Sequence, residues 1–184
     1  IIDPITGKRI VNEIADRKTV ADAILKIGHP CIGIADYMAV SNSGWSIDRC
    51  LKKGVVKQFN SLGDFAVSYE IPQQALSATV SRFNDYIKSN NDTEYNKPLL
   101  PETEPIASAP FFGVRLWPKV HHTMGGVRIN THAQVIDLDG NPILGLYAAG
   151  EVVGGIHGAC RLGSCAITDC LVFGRIAGKE AVTK

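Results

Sequence analysis

The stretch GLYAAGEVVGGIHGACRLGSCAI, Gly145 to Ile167, decides how this chain folds. It begins as a strand (Leu146, Tyr147, Ala148, Ala149) read as buried, turns at Gly150 onto an acidic residue, Glu151, and crosses a glycine-rich loop into a helix. Strand, glycine loop and helix N-terminus in succession mark an α/β arrangement, in which ligands bind outside the carboxyl ends of strands. Such a loop suits an anion, because the first-turn N–H groups lack partners and the helix dipole is positive there. Arg161 adds a fork suited to a carboxylate or phosphate. The loop is not the phosphate-binding G-x-x-x-x-G-K-[ST], and the chain holds no strand-linked G-x-G-x-x-G.

Around this stretch the composition is ordinary: 184 residues, 45% hydrophobic and 20% charged, which excludes disordered, collagen-like and coiled-coil chains. Nineteen Lys and Arg balance eighteen Asp and Glu without a basic cluster, which argues against nucleic acid as a partner. No apolar run reaches the roughly 18 residues of a membrane span. The opening IIDPITGKRIVNE reads like the interior of a longer polypeptide. Five cysteines without C-x-x-C spacing point to small buried residues rather than metal ligands, and free thiols favour a reducing compartment. Glycine is uneven, eleven of eighteen lying from Gly125 to Gly178.

The pattern predicts a helix capped by Thr19 and stopped at Gly28, a strand over Cys31 to Ala35, and short helices over Ile47 to Lys53 and Leu62 to Tyr69. A longer helix starts at Pro72, with Leu76, Val80, Phe83 and Ile87 on one face. Five of nine prolines fall between Pro98 and Pro118, which predicts a stretch without regular structure and a domain crossing, residues 1–112 before it and 113–184 after. Beyond it VRIN, AQVID and ILGLYAAG read as strands, with a hairpin at Asp139-Gly140-Asn141. A final helix runs from Ser164 to Ala181, apolar at Ile167, Leu171 and Ile176, with Gly174 and Gly178 spaced for close packing on another backbone.

Two further segments carry chemistry. His121-His122-Thr123-Met124-Gly125-Gly126 can turn one imidazole toward a ligand while the glycines let backbone N–H groups approach it; metal binding would need further ligands at helical spacing, which are missing. At the end of the AAGE strand, small residues let a bulky cofactor lie on the backbone, and a carboxylate there accepts hydrogen bonds from ribityl or ribose hydroxyls, the use such strands have in flavoproteins.

Together, HHTMGGVRINT, GLYAAGEV and GGIHGACRLGSCAI followed by FGRIAG resemble the C-terminal part of the FAD-dependent soluble fumarate reductases, a family that includes flavocytochrome c and yeast-type enzymes. Looser similarity continues upstream in TGKRIVNE and ALSATVSRFNDYIKSNNDTEYNKP. The resemblance implies an α+β, α/β chain: part of a capping (clamp) domain over 1–112, then the C-terminal portion of a Rossmann-like FAD-binding domain over 113–184. The ADP-binding fingerprint would lie in an upstream part of the same polypeptide.

By the same resemblance, hydride passes from flavin N5 to an alkene carbon of a small unsaturated dicarboxylate, giving succinate from fumarate. His121 and Arg161 would bind that substrate and serve catalysis. His122, Gly150, Glu151 and the backbone N–H groups of Ala166 and Ile167 would hold the FAD. Glu13 and Arg17 would relay protons toward an arginine acid. Here the sequence departs from the family: no Arg occurs between Arg17 and Arg49, and Tyr37 is the one acid available near Ala39 and Ser41. Cys160 and the pair Ser164-Cys165 also depart from the family's loop. Reduction of another enoate, a steroid or aspartate oxidase type of dehydrogenase, and an inactive flavoprotein or structural subunit stay open. The carboxylate-binding residues argue against the steroid type. An electron-donor module or NADH would lie outside the chain.

Overall fold

The first helix, α1 (Arg17–Ile27), starts two residues before Thr19, because Asp16 takes the capping role and accepts from the N–H groups of Lys18 and Thr19. Gly28 stops it as expected, its N–H returning to the Ile24 carbonyl at φ 84°, a left-handed conformation open to glycine. These coordinates are a computed structural model that describes residues 1–183. The chain divides into two compact units, Ile1–Pro118 and Lys119–Lys184.

In the first unit, β1 (Cys31–Ala35), α3 (Asp48–Lys52), α4 (Leu62–Ser68) and α5 (Gln73–Ser89) match the runs read from sequence. Pro72 stands at the cap of α5 rather than inside its first turn. Three elements were not foreseen: α2 (Tyr37–Asn42), β2 (Val56–Phe59) and β3 (Phe111–Leu116). The expectation that Pro98 to Pro118 lacks regular structure fails at β3, which sits between Pro110 and Pro118, clear of both rings. A division at Phe112 would pass through this strand; the compact units part after Pro118.

The sheet order is β1-β3-β2, antiparallel throughout, with Ile32 opposite Arg115 and Phe59 opposite Phe111. Apolar residues from the sheet meet α4 and α5 in one core of Ile2, Ile32, Phe65, Leu76, Val80 and Phe111. Leu76, Val80 and Phe83 are buried on one face of α5, as their spacing requires. Asp36 is buried, caps α2 through the Ala39 N–H, and also accepts from the N–H groups of Ala107 and Ser108 at 3.1 and 3.0 Å. One carboxylate thereby fixes both α2 and the proline-rich stretch.

The second unit holds the expected hairpin, β4 (Gln134–Ile136) with β5 (Pro142–Tyr147), whose turn is tied by the Asp137 carboxylate accepting from the N–H groups of Asp139 and Asn141. VRIN makes only isolated bridges, Val127 to Val153 in parallel and Ile129 to Val135. A 3-10 turn (Gly150–Val152) leads to the loop and then to α6 (Cys165–Val182).

Three expectations are corrected here. The strand before Gly150 is not buried: Leu144 and Leu146 stand in the open, because no element among the described residues covers these side chains on the faces of β5. Among the described residues no backbone lies against Gly174 and Gly178, since a Cβ at either would meet nothing within 4 Å. Of the five free cysteines only Cys31 is buried, so the reading of all five as small core residues also fails.

Candidate functional site

The second unit's site is built where His121 to Gly126 passes the Gly150–Val152 turn. Val127 N–H donates to the Val152 carbonyl and Gly154 N–H to that of Val127, both at 3.0 Å. The approach is close enough that a Cβ on Gly126 would stand 2.1 Å from the Val152 oxygen. This pairing sets Glu151 against the histidine pair. Its Oε1 accepts the Thr123 N–H at 2.8 Å, and its Oε2 lies 3.6 Å from His122 Nδ1. The Thr123 hydrogen bond, aided by His122 and His121, holds the Glu151 carboxyl below the usual carboxylate range.

Behind Glu151 the side chains continue inward. The His122 and His157 rings meet edge to face, centroids 5.3 Å apart, and His157 Nε2 lies 3.2 Å from Asp169 Oδ2. Asp169 is the buried residue of α6. Gly150 is buried and faces Cys170 of the same helix. His121 is exposed, whereas Arg161 is buried, its Nη1 donating to the Leu162 carbonyl and its Nε left without a partner. No hydrogen bond or ion pair joins His121 to Arg161 among the described residues, so the two expected substrate ligands are not linked directly.

The N-terminus of α6 differs from those of α1, α2 and α4, which Asp16, Asp36 and Ser61 cap. Ser164, left-handed at φ 66°, makes no capping bond, so the end stays open to a negative group. Ala166 lies in that first turn; the Ile167 N–H already donates to the Ser164 carbonyl at 3.2 Å, and its side chain is exposed.

In the first unit, Glu13 sits in an ion network with partners other than Arg17, which is exposed at the start of α1. Arg9 Nε and Nη2 donate to its two oxygens at 3.0 Å, and Lys97 lies at 3.4 Å. Burial opposes ionisation of Glu13, yet the Arg9 hydrogen bonds and the neighbouring positive charges pull it down to about 2. Arg9 also donates to buried Asp92 at 2.9 Å and lies over the Phe83 and Tyr95 rings. A cavity of about 390 Å³ opens beside this network, lined by Arg9, Glu13, Ala39, Thr79, Phe83 and Lys97 among others. Ala39 thus shares a cavity with Glu13, while Tyr37 and Ser41 line a separate groove with Trp45.

Sequence reasoning missed Arg9, Asp92, Lys97 and Asp169 as members of these clusters. An Asp inside the apolar run AITDCLVF was a signal for the last of them. No group of His, Cys, Asp and Glu able to hold a metal occurs among the described residues.

A family model described as an FAD binding domain matches residues 1–167. The chain belongs to the FAD binding domain family. Its cofactor is FAD, and the mixed α/β fold of small sheets and helices is that of fumarate reductase flavoproteins. An acrylate reductase flavoprotein subunit of Shewanella woodyi is 46% identical across 97% of this chain and 36% of that protein. A fumarate reductase (cytochrome) of Shewanella frigidimarina is 42% identical across 95% of this chain and 30% of that one. The open conformation of a flavocytochrome c3 fumarate reductase superposes with a TM-score of 0.74 at 38% identity, over 98% of this chain and 31% of that structure. The chain therefore spans about a third of the length of these relatives. The resemblance carried by HHTMGG, AAGE and the Arg161 loop is borne out. No helix among the described residues is long and apolar enough to cross a membrane.

Proposed function

We propose that this chain is part of an FAD-dependent oxidoreductase that reduces the carbon–carbon double bond of a small unsaturated carboxylate, fumarate or a related enoate. The observation that carries the reading is the clasp of Thr123 and His122 onto Glu151 beside an uncapped helix N-terminus. Those residues fit the cofactor. The half-exposed Glu151 would accept hydrogen bonds from ribityl or ribose hydroxyls, Gly150 and His122 would border the ring, and the first turn of α6, at Ala166 and Ile167, would face its electron-rich edge. When bound and reduced, FAD supplies the hydride. His121 and Arg161 would bind the substrate carboxylate and stabilise charge on the carbon framework, with Arg161 turning out from its Leu162 contact to do so. Glu13, paired to Arg9, is the proposed proton-relay carboxylate; Arg17 is proposed as its companion from the start of α1.

A second reading, a catalytically silent flavoprotein, is favoured by one observation: Ala39, on the Glu13 cavity, has no proton to give. The intact polypeptide decides between them. Flavin bands and anaerobic oxidation of a reduced dye by fumarate, acrylate or another enoate are expected, and turnover with none of them would overturn the enzyme reading. Ala39→Arg is expected to raise fumarate turnover if a proton donor is what the cavity lacks; the same change at Ser41, in the other groove, is expected to do nothing.

A further inference from the structure

We propose that Asp169 and His157 are positioning residues for the flavin-side histidine His122, acting through one continuous chain of side chains from α6 to Glu151. What the chain serves rests on the function proposed above; the coupling itself does not.

Asp169 is out of keeping with its helix. Ile167, Leu171 and Val172 of α6 are exposed, while Asp169 between them is buried, 3% of its side chain exposed. A buried carboxylate is tolerated when its oxygens are paired, and here one is paired and one is not: Oδ2 faces His157 Nε2, and Oδ1 has no partner. Since a carboxylate only accepts, that contact requires the hydrogen of His157 on Nε2, which selects a tautomer and fixes the ring plane. The ring so fixed presents itself to His122 at an interplanar angle of 75°. His122 is nearly enclosed, 7% of its side chain exposed, and its Nδ1 points to Glu151.

The order is carboxylate, imidazole, imidazole, carboxylate. The charged or titratable groups around His122 are thus Glu151 on the 3-10 turn, His157 on the loop, Asp169 behind it on α6, and the adjacent His121. Arg161, on the same loop as His157, keeps a buried unpartnered Nε. A second carboxylate–histidine pair, His132 with Glu180, is exposed and provides a comparison within the same unit.

The test uses the intact polypeptide with its flavin, labelled with ¹⁵N-histidine, as wild type, Asp169→Asn, His157→Gln and, for comparison, Glu180→Gln. Asp169→Asn is expected to move the ring ¹⁵N shifts of His157, whose Nε2–H loses its carboxylate partner, and through the ring contact those of His122. With flavin content unchanged, kcat for the enoate is expected to fall about tenfold while KM moves little. Glu180→Gln is expected to change neither the His122 shifts nor kcat. Unmoved His122 ring shifts in a flavin-replete Asp169→Asn protein overturn the coupling, and moved shifts with unchanged kcat overturn the positioning role. If Asp169→Asn does not fold, His157→Gln, which breaks the chain while leaving the α6 carboxylate, is read by the same two criteria. Moved shifts in a protein whose wild type reduces no enoate uphold the coupling and overturn the function proposed above.

Discussion

Replacing Arg9 with Met removes the guanidinium that holds Glu13 in the first unit's cavity, and the structure sets how much this should cost. Arg9 makes two hydrogen bonds to Glu13 at 3.0 Å and one to Asp92 at 2.9 Å, and packs over two rings at 5.0 Å each. Breaking a buried ion pair from one side costs roughly 3–5 kcal/mol. Asp92 is partly protected, because the N–H groups of Glu94, Tyr95 and Lys97 still reach it at 3.1, 3.2 and 3.3 Å. Glu13 keeps Lys97. Met retains much of the packing against Phe83, so the lower end applies, about 3 kcal/mol. With a urea slope of about 2 kcal/mol per molar, the midpoint should fall by about 1.5 M. The assay is urea unfolding followed by far-ultraviolet circular dichroism. Adding Glu13→Gln to Arg9→Met should recover part of the loss, since the carboxylate left bare is then gone. A fall of less than about 0.3 M in Arg9→Met would refute the assignment of this network as a stabilising one.

Acid should act on the same cluster. Glu13 titrates at about 2 against an ordinary 4.5, so its contribution is complete above about pH 4.5 and disappears as pH falls toward 2. The shift corresponds to about 3 kcal/mol, and Glu13→Gln should flatten the pH dependence of the urea midpoint across that window; an unchanged slope would contradict it. In the second unit, Gly126→Ala should open the Val127–Val152 pairing, because the new methyl meets the Val152 oxygen and the Gly154 nitrogen, both backbone. A loss of about 2 kcal/mol or more is expected, read as faster amide exchange at Val127 and Gly154, and protection at the wild-type level would show that the loop accommodates it.

What the sequence made legible was local. The CIGIA strand, the Leu76, Val80 and Phe83 face, the Gly28 stop and the Asp139-Gly140-Asn141 hairpin each depend on residues within a turn or two, and each is present. Asp16 displaced Thr19 because a carboxylate one position before the helix reaches two N–H groups, a choice that pattern spacing alone does not separate. The strand Phe111–Leu116 escaped because its partners lie far upstream and its flanking prolines argued against it locally. The site divides in the same way. Glu151 and the histidine pair announced themselves through neighbouring glycines, while Glu13 stands four residues from both Arg9 and Arg17, so spacing alone could not choose its partner. Arg9 meets Asp92 across 83 positions, and Glu151 meets Thr123 across 28, distances over which a sequence carries no spacing signal.

The strand order β1-β3-β2 has a consequence for how the chain is made. The middle strand is the last to be synthesised. Cys31–Ala35 and Val56–Phe59 pair with Phe111–Leu116 and not with each other, so both emerge from the ribosome with bare edges and stay so until residue 116 is out. Anyone dividing this chain to study its parts should therefore cut after Pro118. A cut at Phe112 would remove the central strand's second half from its own sheet.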